Sequence, residues 1–405
     1  MILRHSKKAL ASAIVLSILG GQSALAAGFE KSILWSGKYA GQGGAAVSSA
    51  SGAEALFFNP AGLAGSKGTE VSLNVSPTFS KFSGPVVTAN SSVDGQQTFS
   101  PIFGAMGSYA VNEKLAIGVG AYVAGGAKAD MGSISAGGGT HNPKTDLSIM
   151  EYSIGAGYEI IPGLKLGAAY RINQINADLT FMSGNDSVSL SDLKDTKASG
   201  FRAGLTYEGT GWAVGAGYRN GVDFTAEGTA ASIVGGTAYT GSAGTAATTL
   251  PASWNVGGRY DVSSEWSIIG EYSRTSYGKV DQIRLTGTTG PGGALNLANT
   301  PVSLNWDDQN VVRGGLTYSG MAGWTWRAGG SLTSVVTSPA FARSTLTPPG
   351  RAYSFTAGFT TGLTSAIDLS AAGEYTMAKG TATGLLAGDY SANGYMLHTG
   401  VNYKF

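Results

Sequence analysis

A period of two runs through this chain from residue 69 to its last residue: apolar or aromatic positions alternate with Gly, Ser, Thr or a charge, in segments about ten to fourteen residues long. Such alternation puts successive side chains on opposite faces of a strand and does not build one face of a helix, whose repeat is 3.6. The final segment is the clearest, with Tyr395, Leu397, Thr399, Val401, Tyr403 and Phe405 on one face and Met396, His398, Gly400, Asn402 and Lys404 on the other. Similar segments occupy 69–82, 98–111, 115–127, 148–160, 164–181, 197–207, 212–225, 252–261, 265–278, 308–318, 323–335, 352–362 and 366–379, making fourteen. Glycine agrees: 63 of 405 residues are Gly, and each costs about 1 kcal/mol in a helix interior.

The connections alternate as strictly as the strands. Short turns (Asn112-Glu113-Lys114, Ile161-Pro162-Gly163, Gly209-Thr210-Gly211, Val262-Ser263-Ser264, Ser319 to Ala322, Leu363-Thr364-Ser365) are separated by long Gly/Ser/Thr/Ala-rich stretches at 83–97, 128–147, 182–196, 226–251, 279–307, 336–351 and 380–393. An even strand number with short turns at one end and long loops at the other is the pattern of bacterial outer-membrane barrels, and it predicts both termini at the periplasmic end.

With Phe405 facing outward, the outward sets include Leu164/Leu166/Ala168/Tyr170/Ile172, Trp212/Val214/Ala216/Tyr218 and Trp254/Val256/Gly258/Tyr260, while Lys165/Arg171/Asn173, Arg219 and Asn255/Arg259 point inward. A soluble sandwich would bury the apolar face and show the charged one, so the alternation alone leaves the solvent undecided. Aromatics near strand ends (Tyr158, Tyr207, Trp212, Tyr218, Trp266, Tyr272, Tyr318, Trp324, Tyr403 and Phe405) match interfacial girdles. Residues 1–26 read as a secretory signal peptide: Arg4, His5, Lys7 and Lys8 precede the apolar run Ala9 to Leu19, and Ala24-Leu25-Ala26 offers a cut before Ala27. Losing Arg4, Lys7 and Lys8 turns the formal net charge from +1 to −2, which gives no footprint for nucleic acid. With 13% charged residues and no Cys, the expectation is an all-β, 14-stranded antiparallel transmembrane barrel over 69–405, in the outer membrane among its lipid and lipopolysaccharide.

A barrel this wide is not filled by its own wall side chains. Residues 27–68 offer a plug, with helical or loop pieces at Phe29 to Ala40 and Ala45 to Phe58, broken by Gly41, Gly43-Gly44 and Asn59-Pro60. Gly37 to Leu63, GKYAGQGGAAVSSASGAEALFFNPAGL, resembles the N-terminal hatch of the FadL-type transporters of long-chain fatty acids and other hydrophobic compounds, with its core in Asn59, Pro60, Ala61, Gly62 and Leu63 behind Phe57-Phe58. Further likeness lies in Leu250-Pro251-Ala252-Ser253, in Trp306 to Val311, and in Pro349 with Arg351. The resemblance implies a hatch inside the lumen, capture at the long loops, and lateral release beside a kinked third strand. Gly125 and Gly126 stand where that kink is expected, as Ala124-Gly125-Gly126 in place of the Pro and Phe of many members.

The lumen receives Lys165, Arg171, Arg202, Arg219, Arg259, Arg313 and Arg327 against Glu151, Glu159, Glu271 and Glu374. Buried charges pair, so most of these are expected to tie hatch to wall. The surplus of cations leaves one for a substrate carboxylate, with Arg171 the first candidate and Arg313 the second. Phe57 and Phe58 in the hatch, and Ile233 and Val234 in the loop 226–251, offer apolar contact. His141 and His398 sit in no Ser/His/acid or metal spacing, so no catalytic residue, metal or cofactor is expected. The functional expectation is a monomeric, passive outer-membrane transporter of fatty acids. Monoaromatic or alkane hydrocarbons are the alternative substrates, and a general porin or a surface adhesin the alternative classes.

Overall fold

The computed structural model describes residues 36–299 and 301–405. The expected signal peptide, and residues 27–35 of the expected hatch, lie outside the described residues. Fourteen strands form the wall: β1 Thr69–Pro85, β2 Thr98–Ala110, β3 Leu115–Asp130, β4 Lys144–Ile161, β5 Leu164–Ser183, β6 Asp186–Gly209, β7 Trp212–Arg219 continued by Val222–Val234, β8 Thr237–Leu250 continued by Ser253–Asp261, β9 Trp266–Thr275, β10 Gln309–Met321, β11 Trp324–Thr333, β12 Arg351–Gly362, β13 Ile367–Ala382 and β14 Gly388–Lys404. Sequential neighbours pair antiparallel, and β1 closes on β14 from Glu70↔Lys404 to Ser83↔Ser391. The six short turns expected from the sequence all fall at one end.

Facing follows the alternation. Leu73, Ile154, Tyr170, Val214, Trp254 and Phe355 are exposed on the outside, far more contiguous apolar surface than water tolerates on a monomer. Two rows of rings bound this band. Tyr207, Trp212, Tyr260 and Trp266 lie toward the short-turn end, and Phe201, Tyr218, Trp254 and Tyr272 lie six residues away on the same strands, about 20 Å at roughly 3.3 Å per residue. Rings touch across strands, as in Trp266–Tyr318 at 4.5 Å and Trp254–Tyr272 at 5.3 Å. That height matches the roughly 25 Å apolar band of an outer-membrane barrel.

Beyond the second ring row the strands continue where sequence alone predicts loops. Between β5 and β6 only Gly184 and Asn185 turn the chain, instead of a loop over 182–196. Val222–Val234 and Thr237–Leu250 form a hairpin turned by Gly235 (φ 54°) and Gly236 (φ 80°), instead of a loop over 226–251. The stretch 380–393 likewise shrinks to a connection between Ala382 and Gly388. In these extensions the outward positions are Asn176, Asp178, Asp223, Thr225 and Glu227. The inward positions there, Ile175, Leu179, Val222, Phe224 and Ala226, are buried apolar residues, so the alternation persists with its apolar half turned from the outside to the lumen.

Candidate functional site

Residues 36–66 lie inside the barrel as α1 Gly37–Ala40, α2 Ala55–Phe58 and a 3₁₀ turn Pro60–Gly65. Elements this short have no stability of their own, so their shape depends on local caps and the wall. Asn59 supplies the cap: its Oδ1 accepts from the Ala61 N–H at 3.1 Å, and Pro60 follows at the first helical position, where a missing N–H costs nothing. Its Nδ2 donates to the carbonyl of Val47 at 2.6 Å and, in β6, to the Leu205 carbonyl and the Thr206 hydroxyl, each at 3.1 Å. Asn59, Ala61 and Leu63 are completely buried.

The wall that receives this segment is glycine where backbone meets backbone. A Cβ on Gly167, Gly204, Gly215, Gly315 or Gly329 would come within 3.0 Å of Pro60, Asn59, Val47 or Gln42. Three charged clamps complete the hold. Glu54 accepts from Ser36, and from Ser72 and Asn74 of β1, at 2.7, 2.8 and 3.0 Å. Glu271 of β9 accepts the Ala46 and Val47 N–H groups at 2.8 and 2.9 Å, and pairs with Arg313 of β10 at 3.4 Å. Arg202 of β6 donates to the Phe57 carbonyl at 2.6 Å and lies 4.8 Å from the centre of the Phe57 ring.

Behind Arg202 sits Glu151 of β4, fully buried, which gathers two guanidinium groups and two hydroxyls from β3 to β6. It pairs with Arg202 at 2.9 Å and Arg171 at 3.3 Å, and accepts from the Tyr122 hydroxyl of β3 at 2.5 Å and the Ser153 hydroxyl at 3.0 Å. The inward alternation places Glu151 on the lumen side with the arginines; nothing in sequence joins it to Tyr122, 29 residues away.

One stretch of wall is not laddered. β2 and β3 pair from Ala110↔Ala116 to Gly104↔Tyr122 and, among the described residues, no further. Past that point β2 pairs with β1 as far as Thr98, and β3 pairs with β4 as far as Asp130. The gap closes again at its far end, where the Gln96 N–H donates to the Asp130 carbonyl at 2.7 Å and the Thr98 hydroxyl to the Lys128 carbonyl at 3.4 Å. The split begins at a bulge: Val123 opposes Met150 and Gly125 opposes Ile149, leaving Ala124 as the extra residue. The expected kink residues Gly125 and Gly126 flank this point. Gly126 has φ 155°, and a Cβ there would strike the Leu147 carbonyl.

A cleft of about 120 Å³ lies between hatch and wall and reaches the bulge at Ala124, lined also by Phe57, Phe58, Pro60, Arg202 and Arg313. Thus Phe57, Phe58, Pro60 and Arg313 meet in one place. Arg171 is not in its lining; it is fully buried and donates to the Asn220 carbonyl at 2.7 Å as well as to Glu151. Ile233 and Val234 sit at the tip of the β7–β8 hairpin, beside Gly139. Tyr122 and the bulge at Ala124 carry no sequence signal of their own, since only the register reveals them. On the outer face below the split, Ala105, Gly107 and Ala121 leave an apolar trough of about 540 Å³ walled by Tyr152 and Tyr170.

A closed fourteen-stranded barrel with an apolar belt and an N-terminal segment clamped in its lumen defines a plugged outer-membrane transport barrel. The chain belongs to the outer membrane protein transport protein family (OMPP1/FadL/TodX), which it matches over residues 17–405. The fold is shared with a Pseudomonas aeruginosa FadL homologue (TM-score 0.77, 15% identity, covering 94% of this chain and 100% of the other). It is shared also with the P. putida toluene transporter TodX (0.71, 17%, 90% and 97%) and the Ralstonia pickettii toluene transporter TbuX (0.69, 18%, 90% and 97%). No curated protein matches the chain. The protein is an outer-membrane transport barrel and not an enzyme.

Proposed function

We propose that the protein admits hydrophobic small molecules, long-chain fatty acids first among them, by passive movement from the long-loop end to the cleft and then sideways through the β2–β3 split into lipid. The observation that carries this reading is the cleft itself: Phe57 and Phe58 of the hatch face Ala124 at the bulge, with the guanidinium groups of Arg202, Arg219 and Arg313 around them. Rings offer an apolar seat, and an arginine fork suits a carboxylate. Arg313 is the residue for that carboxylate, and Arg171 acts through Glu151, which it shares with Arg202.

A sideways exit suits the cargo. Each methylene gains about 0.8 kcal/mol on leaving water for hydrocarbon, and the apolar trough under the split leads to the lipid face. In this reading residues 27–68 are the hatch and Asn59 to Gly62 its gate, because they anchor the segment that holds Phe57. β14 ends on the short-turn side; in this reading both termini are periplasmic, and the barrel works as a monomer. Ile233 and Val234, at the outer tip, take part in capture.

Size favours a second substrate class. A cavity of roughly 150 Å³ takes up benzene, so the 120 Å³ cleft suits a single ring, and a long acyl chain requires the hatch to shift. Uptake of labelled oleate and toluene by cells with and without the gene tests both readings. Loss of oleate uptake on deletion supports the fatty-acid reading, and loss of toluene uptake alone supports the monoaromatic one. Neither changing, while small hydrophilic solutes leak in, leaves a porin.

A further inference from the structure

Two cations on the outer face take no part in holding the hatch or shaping the cleft. Arg351 and Lys379 stand directly opposite each other in the β12–β13 ladder, both exposed. They share the outward register with Tyr353 and Phe355 on β12 and with Tyr375 on β13. Like charges directly opposite across a sheet repel. Neither cation belongs to an ion pair among the described residues. Asp389, the acid nearest in register, lies opposite Thr381, whose hydroxyl it binds at 2.7 Å. Lys81 of β1 is matched by Asp94 at 3.4 Å, a carboxyl held below its usual range by the Ser83 hydroxyl and by Lys81.

The pair is carried on fixed backbone. Pro349-Gly350 and Lys379-Gly380 approach so closely that a Cβ on Gly350 or Gly380 would come within 3.0 Å of the Lys379 or the Pro349 carbonyl. Below the cations lie the rings that mark the upper edge of the apolar belt, with Tyr375 and Tyr395 in contact at 5.0 Å. Cations just above such a ring row meet the headgroup region of a membrane. Elsewhere on the same rim Arg274 is compensated by Asp308 at 2.7 Å, within the protein.

We propose that Arg351 and Lys379 bind a phosphate of lipid A, the phosphorylated glycolipid that anchors lipopolysaccharide in the outer leaflet. The phosphate relieves the repulsion of the pair and accepts the arginine fork, while acyl chains lie against Tyr353, Phe355 and Tyr375. The choice of lipid A over a phospholipid rests on the reading that the long-loop end faces outward.

The test uses the full chain purified in dodecylmaltoside, with binding followed by native mass spectrometry. The probes are bisphosphorylated lipid A, dephosphorylated lipid A and phosphatidylglycerol. Bisphosphorylated lipid A is expected to bind the parent, and Arg274→Gln equally well, but to bind the Arg351→Gln/Lys379→Gln variant on the order of tenfold more weakly. Heat-modifiable migration reports folding, and the two single variants stand in, with intermediate losses, if the double variant does not fold. Equal binding to the parent and the substituted proteins overturns the assignment, as does phosphatidylglycerol or dephosphorylated lipid A binding as tightly as the bisphosphorylated form. Oleate and toluene uptake measured on the same variants is expected to persist, so failure of lipid A binding is separable from failure of the transport reading.

Discussion

The hatch touches the barrel in two unlike ways. Toward β5, β7, β10 and β11 it meets bare backbone, with Pro60, Val47 and Gln42 seated on wall glycines, and toward β6 the hydrogen-bonded Asn59 amide sits on Gly204. Toward β3 it meets the wall through the ends of side chains: Leu63 against Gly118, Leu56 against Gly120, and Phe57 edge-on to Tyr122 at 5.2 Å. Backbone against backbone leaves nothing to rotate away, whereas leucine and phenylalanine tips change rotamer. The firm side also carries the Arg202, Asn59 and Glu271 bonds, and the yielding side borders the unladdered strands. The contrast makes one flank of the hatch an anchor and puts the proposed exit beside the other.

The largest test of the anchor is Glu151→Gln. It leaves Arg171 and Arg202 buried without their carboxylate, and is expected to cost about 3–5 kcal/mol, read as lowered resistance to denaturant in lipid vesicles. A loss below about 1 kcal/mol, an exposed pair's worth, removes Glu151 from the clamp. Next comes Gly204→Val, which puts a side chain where Asn59 sits. Overpacking of about 1–3 kcal/mol is expected to displace the hatch and give steady ion conductance in planar bilayers. Gly270→Val faces lipid, with no atom nearer than 3.9 Å to its Cβ, and is expected to stay closed; two equally closed channels would show that Gly204 does not seat the hatch.

On the yielding side, deleting Ala124 removes the bulge and lets the β3 pattern continue in one register. Hydrophobic uptake is expected to fall about tenfold, the rate equivalent of about 1.4 kcal/mol, with folding retained; undiminished uptake places the exit elsewhere. The smallest effect on uptake belongs to Arg313→Gln, which is expected to lower oleate uptake about fivefold, the rate equivalent of about 1 kcal/mol, while toluene uptake stays constant. Parallel loss of both would show that Arg313 serves Glu271 alone.

Much of this contrast lies in local sequence, and part of it does not. The strands of the belt were legible because lipid demands an apolar residue at every second position, and Asn59-Pro60 was legible because the cap and the proline act within three residues. The extensions past residues 178 and 222 were hidden for the opposite reason, since Asp178, Asp223 and Glu227 face water there and the apolar half of the alternation, Leu179, Val222 and Phe224, turns inward. Charge count and facing marked Glu151 and Arg202 as lumenal, but their meeting with Tyr122 spans four strands. The split between β2 and β3 has no local signature beyond Gly125-Gly126, because it is a register that two strands fail to share.

The glycine-lined wall also bears on how the molecule is made. A segment seated backbone to backbone has no clearance to slide into a finished cylinder. Glu54 already bonds Ser72 and Asn74 of β1, 18 and 20 residues away, whereas β14, which closes the sheet against β1, is the last strand in the chain. The N-terminal segment is therefore expected to be in place before β14 closes on β1, and defects in its compaction to surface as failed assembly before they surface as failed transport.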